Sequence, residues 1–140
     1  MRWLYLLCLT AACVTQVAPS DKLAFDYTQA FLRRDSAGMQ TLGTSGVTHP
    51  TPSAYYATQK AIRTCPAQPA KGGPEAKTIL VLLGSASSQQ FEAIQVTVAH
   101  YGQQWLVVDA KHVSSENGTP LLYSRACQPI YGTYGKGTSY

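Results

Sequence analysis

Cysteine and histidine are the residue types in this chain whose side chains could carry the most chemistry. A cysteine thiolate can attack a substrate, bind a metal ion or form a disulfide. The chain contains no Cys-x-x-Cys redox motif, and its three histidines do not stand at zinc-type spacing from the cysteines. The sequence therefore predicts no metal site and no cofactor. The four cysteines are Cys8, Cys13, Cys65 and Cys127.

The N-terminal stretch is apolar and carries a single charge, at Arg2. It is long enough for the core of a signal peptide but too short to cross a bilayer as a helix. Its end, Leu9–Cys13, resembles the lipobox of bacterial lipoproteins, in which a cysteine after small residues is acylated. The resemblance implies a signal peptide over 1–13, lipid attachment at Cys13, and a place on the periplasmic face of the cell envelope, anchored to the outer membrane. A cleaved secretory signal and a buried N-terminal element remain as alternatives.

The rest of the chain has the composition of one globular domain. Hydrophobic residues make up 45% of the sequence, which argues against disorder. The formal charge is only +4, and the basic residues are scattered, with only Arg33 and Arg34 adjacent. A nucleic-acid surface needs a dense basic stripe, so no nucleic-acid partner is expected. We predict a short tether over 14–20, a single domain over 21–128 and a flexible tail over 129–140.

The two cysteines of the mature domain, Cys65 and Cys127, are predicted to form a disulfide. An isolated pair in an oxidising envelope is more often cross-linked than not. The bridge is expected to pin the C-terminal tail to the end of a helix.

The first predicted helix follows Ser20 and Asp21, which are good N-cap residues. After them Leu23, Tyr27 and Phe31 recur at helical spacing. The pattern indicates an amphipathic helix that buries these side chains.

Two more helices are predicted before the strands begin. Asp35 or Ser36 can cap a short second helix, which a turn-rich break over 43–50 then ends. Thr51-Pro52 resembles an N-cap followed by proline in the first helical position, and predicts a third helix that runs towards Cys65.

The second half of the chain is predicted to be β structure. Thr78–Leu83 is a dense apolar run, and Phe91–Val98 alternates between apolar and polar residues. Gly102 fits the first position of a type II′ hairpin turn, which leads into a return strand, Trp105–Val113. One more strand is predicted over Leu121–Cys127.

The hairpin register follows from a two-residue loop, and a three-residue loop, which stays open as an alternative, would shift the pairing by one residue. The two-residue loop pairs Val98 with Val107 and His100 with Trp105, and it places His100 and Asp109 on one face of the sheet. These elements define an α+β protein, with two to three N-terminal helices packed on one face of a three- to four-stranded antiparallel sheet.

The chain resembles the NTF2-like, cystatin-like group of α+β cone folds. The likeness rests on Thr28–Leu42, a helix, a break containing Asp and a second helix, and on Val96–Asp109, a long hairpin with a Trp after the turn. Enzymes of this group place an acid or base inside the cone. Here His100 and Asp109 form no evident dyad, so we expect no catalytic residues. The residues that could line a cavity are Tyr27, Phe31, Tyr55, His100 and Trp105.

Three functions remain open from the sequence, and the first of them is the one that we expect. The first is a non-catalytic envelope lipoprotein that docks another envelope protein, as an accessory or assembly component of a secretion or conjugation machine. The second is a small-molecule binder or minor enzyme that uses the cone. The third is a secreted inhibitor or immunity-type protein acting through the loop Pro66–Pro74. A docking role predicts a filled cone and an apolar outer sheet face, whereas ligand binding predicts an open cavity at His100 or Tyr27.

Overall fold

A computed structural model describes residues 17–70 and 75–130. Within these two ranges, three helices and six strands form an α+β fold with one mixed sheet. The elements in chain order are α1 (Pro19–Leu32), α2 (Ser36–Leu42), β1 (Gly43–Thr48), α3 (Ala54–Ala57), β2 (Lys60–Thr64), β3 (Gln68–Pro69), β4 (Ala76–Gly84), β5 (Glu92–Tyr101) and β6 (Gln104–His112).

The sheet has the strand order β1-β6-β5-β4-β2, with β3 also paired to β4. The pairs among β2, β3, β4, β5 and β6 are antiparallel, whereas β1 runs parallel to β6. The α+β class is therefore confirmed. The prediction of a purely antiparallel sheet of three or four strands is wrong, because the edge of β6 recruits β1 and the edge of β4 recruits β2.

Alternation along β4 separates two cores. Ile79 and Val81 face α1 and pack with Tyr27 and Phe31 in the larger core. Leu82 points to the opposite, outer face and packs in a smaller core with four other residues. The five buried members of that outer core are Cys65, Leu82, Phe91, Ala93 and Tyr123.

The helix α1 starts earlier than the sequence predicts. Pro19 occupies the first turn, after Ala18 at the N-cap, so neither Ser20 nor Asp21 caps the helix. The fixed φ of proline suits this position, and Pro lacks the amide hydrogen that would otherwise need a partner there. The predicted cap of α2 is confirmed, since the Asp35 carboxylate accepts a hydrogen bond from the Gly38 amide at 2.9 Å.

Two segments contradict their predicted structure. The break over 43–50 contains β1, and the third helix ends at Ala57 instead of running towards Cys65. From Lys60 onward the chain pairs with β4, with Ala61 opposite Leu83. Tertiary pairing overrides local propensity in both segments, because each one covers an open edge of the sheet.

The hairpin between β5 and β6 confirms the predicted turn and its nearest pairs. Gly102 has a φ of +62°, as the first position of a type II′ turn requires. Val98 pairs with Val107 and His100 with Trp105. A bulge then shifts the register, so that Asp109 lies opposite Thr97. The prediction that His100 and Asp109 share one face is therefore wrong, because an extra residue turns Asp109 to the other side.

The C-terminal segment crosses the outer face of the sheet without forming the predicted strand. It makes isolated bridges instead, in which Phe91 pairs with Tyr123 and Tyr123 with Pro129. The predicted disulfide is confirmed, and it joins Cys127 to Cys65 with Cα atoms 5.8 Å apart. Cys65 follows β2, so the tail is pinned beside a strand and not to the end of a helix.

Candidate functional site

A cleft opens on the helix side of the sheet, between α1, α2 and β1. Its volume is about 760 Å³, which is within the range of small-molecule sites. The described residues that line it are Tyr27, Phe31, Arg34, Ser36, Met39, Gln40, Thr44, Ser45, Val47, His49 and Pro52. The cleft therefore combines apolar side chains with hydroxyl and amide groups.

Tyr27 and Phe31 link the cleft to the core, because they lie one helical turn apart on the buried face of α1. The Phe31 ring packs edge-on against Tyr56, with centroids 4.9 Å apart, and lies 5.8 Å from the His49 ring. Burial raises the pKa of Tyr27 above its ordinary 10.0, and the Asp109 carboxylate raises it further. The Tyr27 hydroxyl is thus neutral at physiological pH and can act as a hydrogen-bond donor.

Arg34 carries the one formal charge among the described residues that line the cleft. It lies where α1 turns into α2, and its φ of +56° is left-handed. The Arg34 amide donates to the Phe31 carbonyl and the Asp35 amide to the Ala30 carbonyl, which is the Schellman pattern of helix ends. Glycine usually occupies this position, because a side chain there costs about 1 kcal/mol. Arg34 therefore places a positive charge at the cleft, at a cost in stability.

A second polar group lies between α3 and the ends of β5 and β6. The Tyr56 hydroxyl is 2.7 Å from Nδ1 of His112, and Nε2 of His112 is 3.6 Å from Oε2 of Glu92. Neither Nε2 nor Oε2 has a hydrogen-bond partner in the described part of the chain, and both atoms are buried. Neutral His112 with its proton on Nε2 would accept from Tyr56 and point that proton at Glu92.

Burial shifts the pKa values of all three side chains towards the neutral forms. It raises the pKa of Tyr56 above 10.0 and that of Glu92 above 4.5, and it lowers the pKa of His112 below 6.5. The Glu92 contribution to stability is therefore full below pH 4.5 and is lost as the pH rises through its folded-state pKa. The His112 contribution is full above pH 6.5 and is lost as the pH falls through its folded-state pKa.

Replacing the Glu92 carboxylate tests this pH dependence. Because burial raises the pKa of Glu92, the wild type should lose stability relative to Glu92→Gln as the pH rises from about 4 to about 7. Urea unfolding at both pH values measures this difference. The exposed Glu116 provides a control, Glu116→Gln, which should show no such change. If the difference in free energy of unfolding between Glu92→Gln and the wild type is the same at both pH values, burial does not shift the pKa of Glu92 as argued.

The structure places only two of the five candidate cavity residues, Tyr27 and Phe31, in the cleft. The Tyr55 side chain is exposed and contacts the Tyr56 ring from outside, at 5.2 Å. His100 and Trp105 contact each other at the far end of the hairpin, with ring centroids 4.9 Å apart.

Several residues of the cleft and of the polar group are missing from the sequence prediction. Met39 reaches the cleft from α2, whereas Val47 reaches it because β1 is a strand, which no alternation in the sequence of β1 indicates. Glu92 and His112 come onto one face only through the bulge in β6, which pairs His112 with Ile94. The apolar residues before His112 predict the return strand, but nothing in their pattern predicts the bulge.

Some predictions concern segments outside the described residues. Cys13, the predicted lipid attachment site, precedes residue 17, and 71–74 of the loop Pro66–Pro74 are also outside. Within the described ranges, no helix is long and apolar enough to cross a membrane. The same ranges contain no group of three or more His, Cys, Asp or Glu side chains that could hold a metal ion.

Comparison with known proteins adds no assignment to this geometry. A search against models of protein families found no match, and a search of curated proteins found no significant sequence match.

Proposed function

We propose that this chain is a cell-envelope protein of the NTF2-like kind whose helix-side cleft binds a small amphipathic anion. The observation that carries the proposal is Arg34, a cation held in left-handed backbone beside an otherwise uncharged cleft. Backbone strain is often kept at functional positions, where it serves binding.

The ligand class follows from what the cleft presents. Phe31, Met39 and Val47 offer an apolar surface for an aromatic or aliphatic body. Arg34 can meet a carboxylate or sulfonate with a charge-assisted hydrogen bond, and the Tyr27 hydroxyl can donate a second one. An apolar body with one anionic group fits both features.

Two features support ligand binding over docking to another protein. Tyr27 borders an open cleft, as the ligand-binding alternative requires. The outer face of the sheet presents Gln95, Thr97, Asp109 and Lys111, which is not the apolar surface that a docking role predicts. Docking to an envelope partner and an inhibitor role remain predictions.

The NTF2-like assignment is supported by the same elements that suggested it. Residues 28–42 contain the end of α1, the Asp35 break and α2, and β5 and β6 form a long hairpin with Trp105 just after the turn. The lipid anchor at Cys13 belongs to the proposal, and mass spectrometry of the membrane fraction from the native host, searching for an acylated Cys13, tests it.

Filling the cleft tests the ligand-binding proposal. Anilinonaphthalene sulfonate is an aromatic anion that fluoresces when it is bound, and phenylnaphthylamine is its counterpart without the sulfonate. Thr44→Trp puts a large side chain on a cleft-lining position of β1, and we expect it to weaken the binding of both probes by about tenfold or more.

Thr48→Trp is the matched control, because Thr48 lies on the same strand but does not line the cleft. It should leave the affinity for both probes unchanged. Equal loss of binding in the two variants, or no saturable binding by the wild type, would overturn the proposal.

A further inference from the structure

A second cavity lies on the opposite, outer face of the sheet and is distinct from the cleft. Its volume is about 710 Å³. The middle strands β4, β5 and β6 supply its floor, and the disulfide between Cys65 and Cys127 stands in its wall. Among the described residues, none lines both cavities.

The floor of this outer cavity is a regular array set by strand register. One row across the sheet is Thr78, Thr97 and Asp109. The next row is Leu80, Gln95 and Lys111. The hydroxyl and amide side chains of the array make no side-chain hydrogen bond within the described residues, so they remain free to bind a ligand.

Two opposite charges stand side by side in the array. Asp109 and Lys111 are the charged residues among those described around the cavity, and neither takes part in an ion pair there. They are two residues apart on one face of β6, so their Cα atoms are about 6.6 Å apart. A ligand that carries both an ammonium and a carboxylate a few ångströms apart complements this pair.

We propose that the outer cavity binds a zwitterionic ligand of dipeptide size, with its ammonium at Asp109 and its carboxylate at Lys111. The peptide group between the two charges then lies over the neighbouring Thr97 and Gln95, which can donate and accept hydrogen bonds. A dipeptide is smaller than the cavity and can therefore enter it, and each of its ends can meet a charged side chain beside a polar neighbour.

The outer cavity depends on the disulfide, because the disulfide holds one of its walls in place. Cys127, Ala126 and Gln128 line the cavity from the tail, and the bond to Cys65 holds that tail against the sheet. We therefore expect reduction to weaken dipeptide binding without any change in the residues of the floor.

Calorimetric titration with glycylglycine tests the proposal. We expect saturable binding with a Kd of about 1 mM or tighter, and no binding of the N-acetylated, C-amidated dipeptide, which has neither charge. Asp109→Asn and Lys111→Met should each weaken binding by about tenfold or more. The exposed residues Glu116 and Lys60 provide controls, Glu116→Gln and Lys60→Met, which should bind like the wild type.

Three outcomes would overturn the proposal. The first is the absence of saturable binding of glycylglycine by the oxidised, folded protein, with folding confirmed by its thermal transition. The second is equal binding of the charged and the blocked dipeptide, and the third is equal weakening in the floor variants and the controls. Thr44→Trp, which fills the helix-side cleft, should bind glycylglycine normally, and this separates the outer cavity from the cleft.

Discussion

Replacing Cys65 and Cys127 together by serine is expected to lower the free energy of unfolding by about 4 kcal/mol. The two residues are 62 apart in sequence, so the bond closes a long loop and restricts the unfolded chain strongly. Cys65 is also buried in the outer core, beneath the tail that carries Cys127. An effect of this size is a large fraction of the stability of an ordinary domain.

Urea unfolding with and without dithiothreitol measures this contribution. Reduced wild type should unfold like the double-serine variant, and dithiothreitol should not change the variant further. The tail has other contacts, including Arg125 Nη2 to the Ala86 carbonyl at 3.0 Å and the backbone bridge between Phe91 and Tyr123. A loss below about 1 kcal/mol would mean that these contacts hold the tail without the disulfide.

Replacing Arg34 by glycine is expected to improve stability and impair binding at once. Glycine adopts the left-handed backbone of this position without the cost of a side chain, so the free energy of unfolding should rise by about 1 kcal/mol. Loss of the guanidinium should weaken the binding of anilinonaphthalene sulfonate by about tenfold or more. Binding of the uncharged phenylnaphthylamine should change little.

The neighbouring Arg33 gives a matched control on the same helix end. Arg33 has right-handed backbone, with a φ of −87°, and does not line the cleft. Arg33→Gly should therefore lower stability by about 0.5–1 kcal/mol and leave the affinity for the sulfonate unchanged. Arg34→Lys keeps a positive charge and should retain part of the affinity. Two results would contradict this role of Arg34 in the cleft. One is an Arg34→Gly variant that is less stable than the wild type, and the other is a variant that binds both probes as tightly as the wild type does.

The parts of the fold that follow local pattern could be predicted from the sequence. Apolar spacing at Leu23, Tyr27 and Phe31 indicates α1, and Gly102 fixes the hairpin turn between β5 and β6. The disulfide between Cys65 and Cys127 could be predicted from the number of cysteines and from an expected oxidising location, without any geometry. Each of these predictions uses either a pattern within a few neighbouring residues or the residue type alone.

The parts that depend on an open sheet edge could not be predicted. The sequence of β1 contains only one large apolar residue, Val47, and forms a strand because β6 offers it hydrogen bonds, with Gly43 opposite Val107. The segment at Lys60–Thr64 likewise pairs with β4, in spite of the helix predicted to run from Thr51-Pro52 towards Cys65, whereas α3 itself covers only Ala54–Ala57. Such pairing is decided by tertiary contacts, which override local propensity.

The candidate sites depend on these same tertiary features. Val47 and Thr44 border the cleft only because β1 pairs in parallel with β6. The bulge in β6 moves Asp109 to the outer cavity and His112 to the group with Glu92. A single extra residue exchanges the faces of everything beyond it, so a register derived from the turn alone fails there.

Chemical-shift mapping of bound anilinonaphthalene sulfonate tests the central claim most directly. In a proton–nitrogen correlation spectrum of the labelled protein, titration should shift the backbone signals of Arg34, Met39, Thr44 and Ser45 in a saturable way. The signal of Thr97, on the outer face, should stay in place. Saturable shifts that cluster on the outer face, or shifts spread evenly over the domain, would contradict a ligand site between α1, α2 and β1.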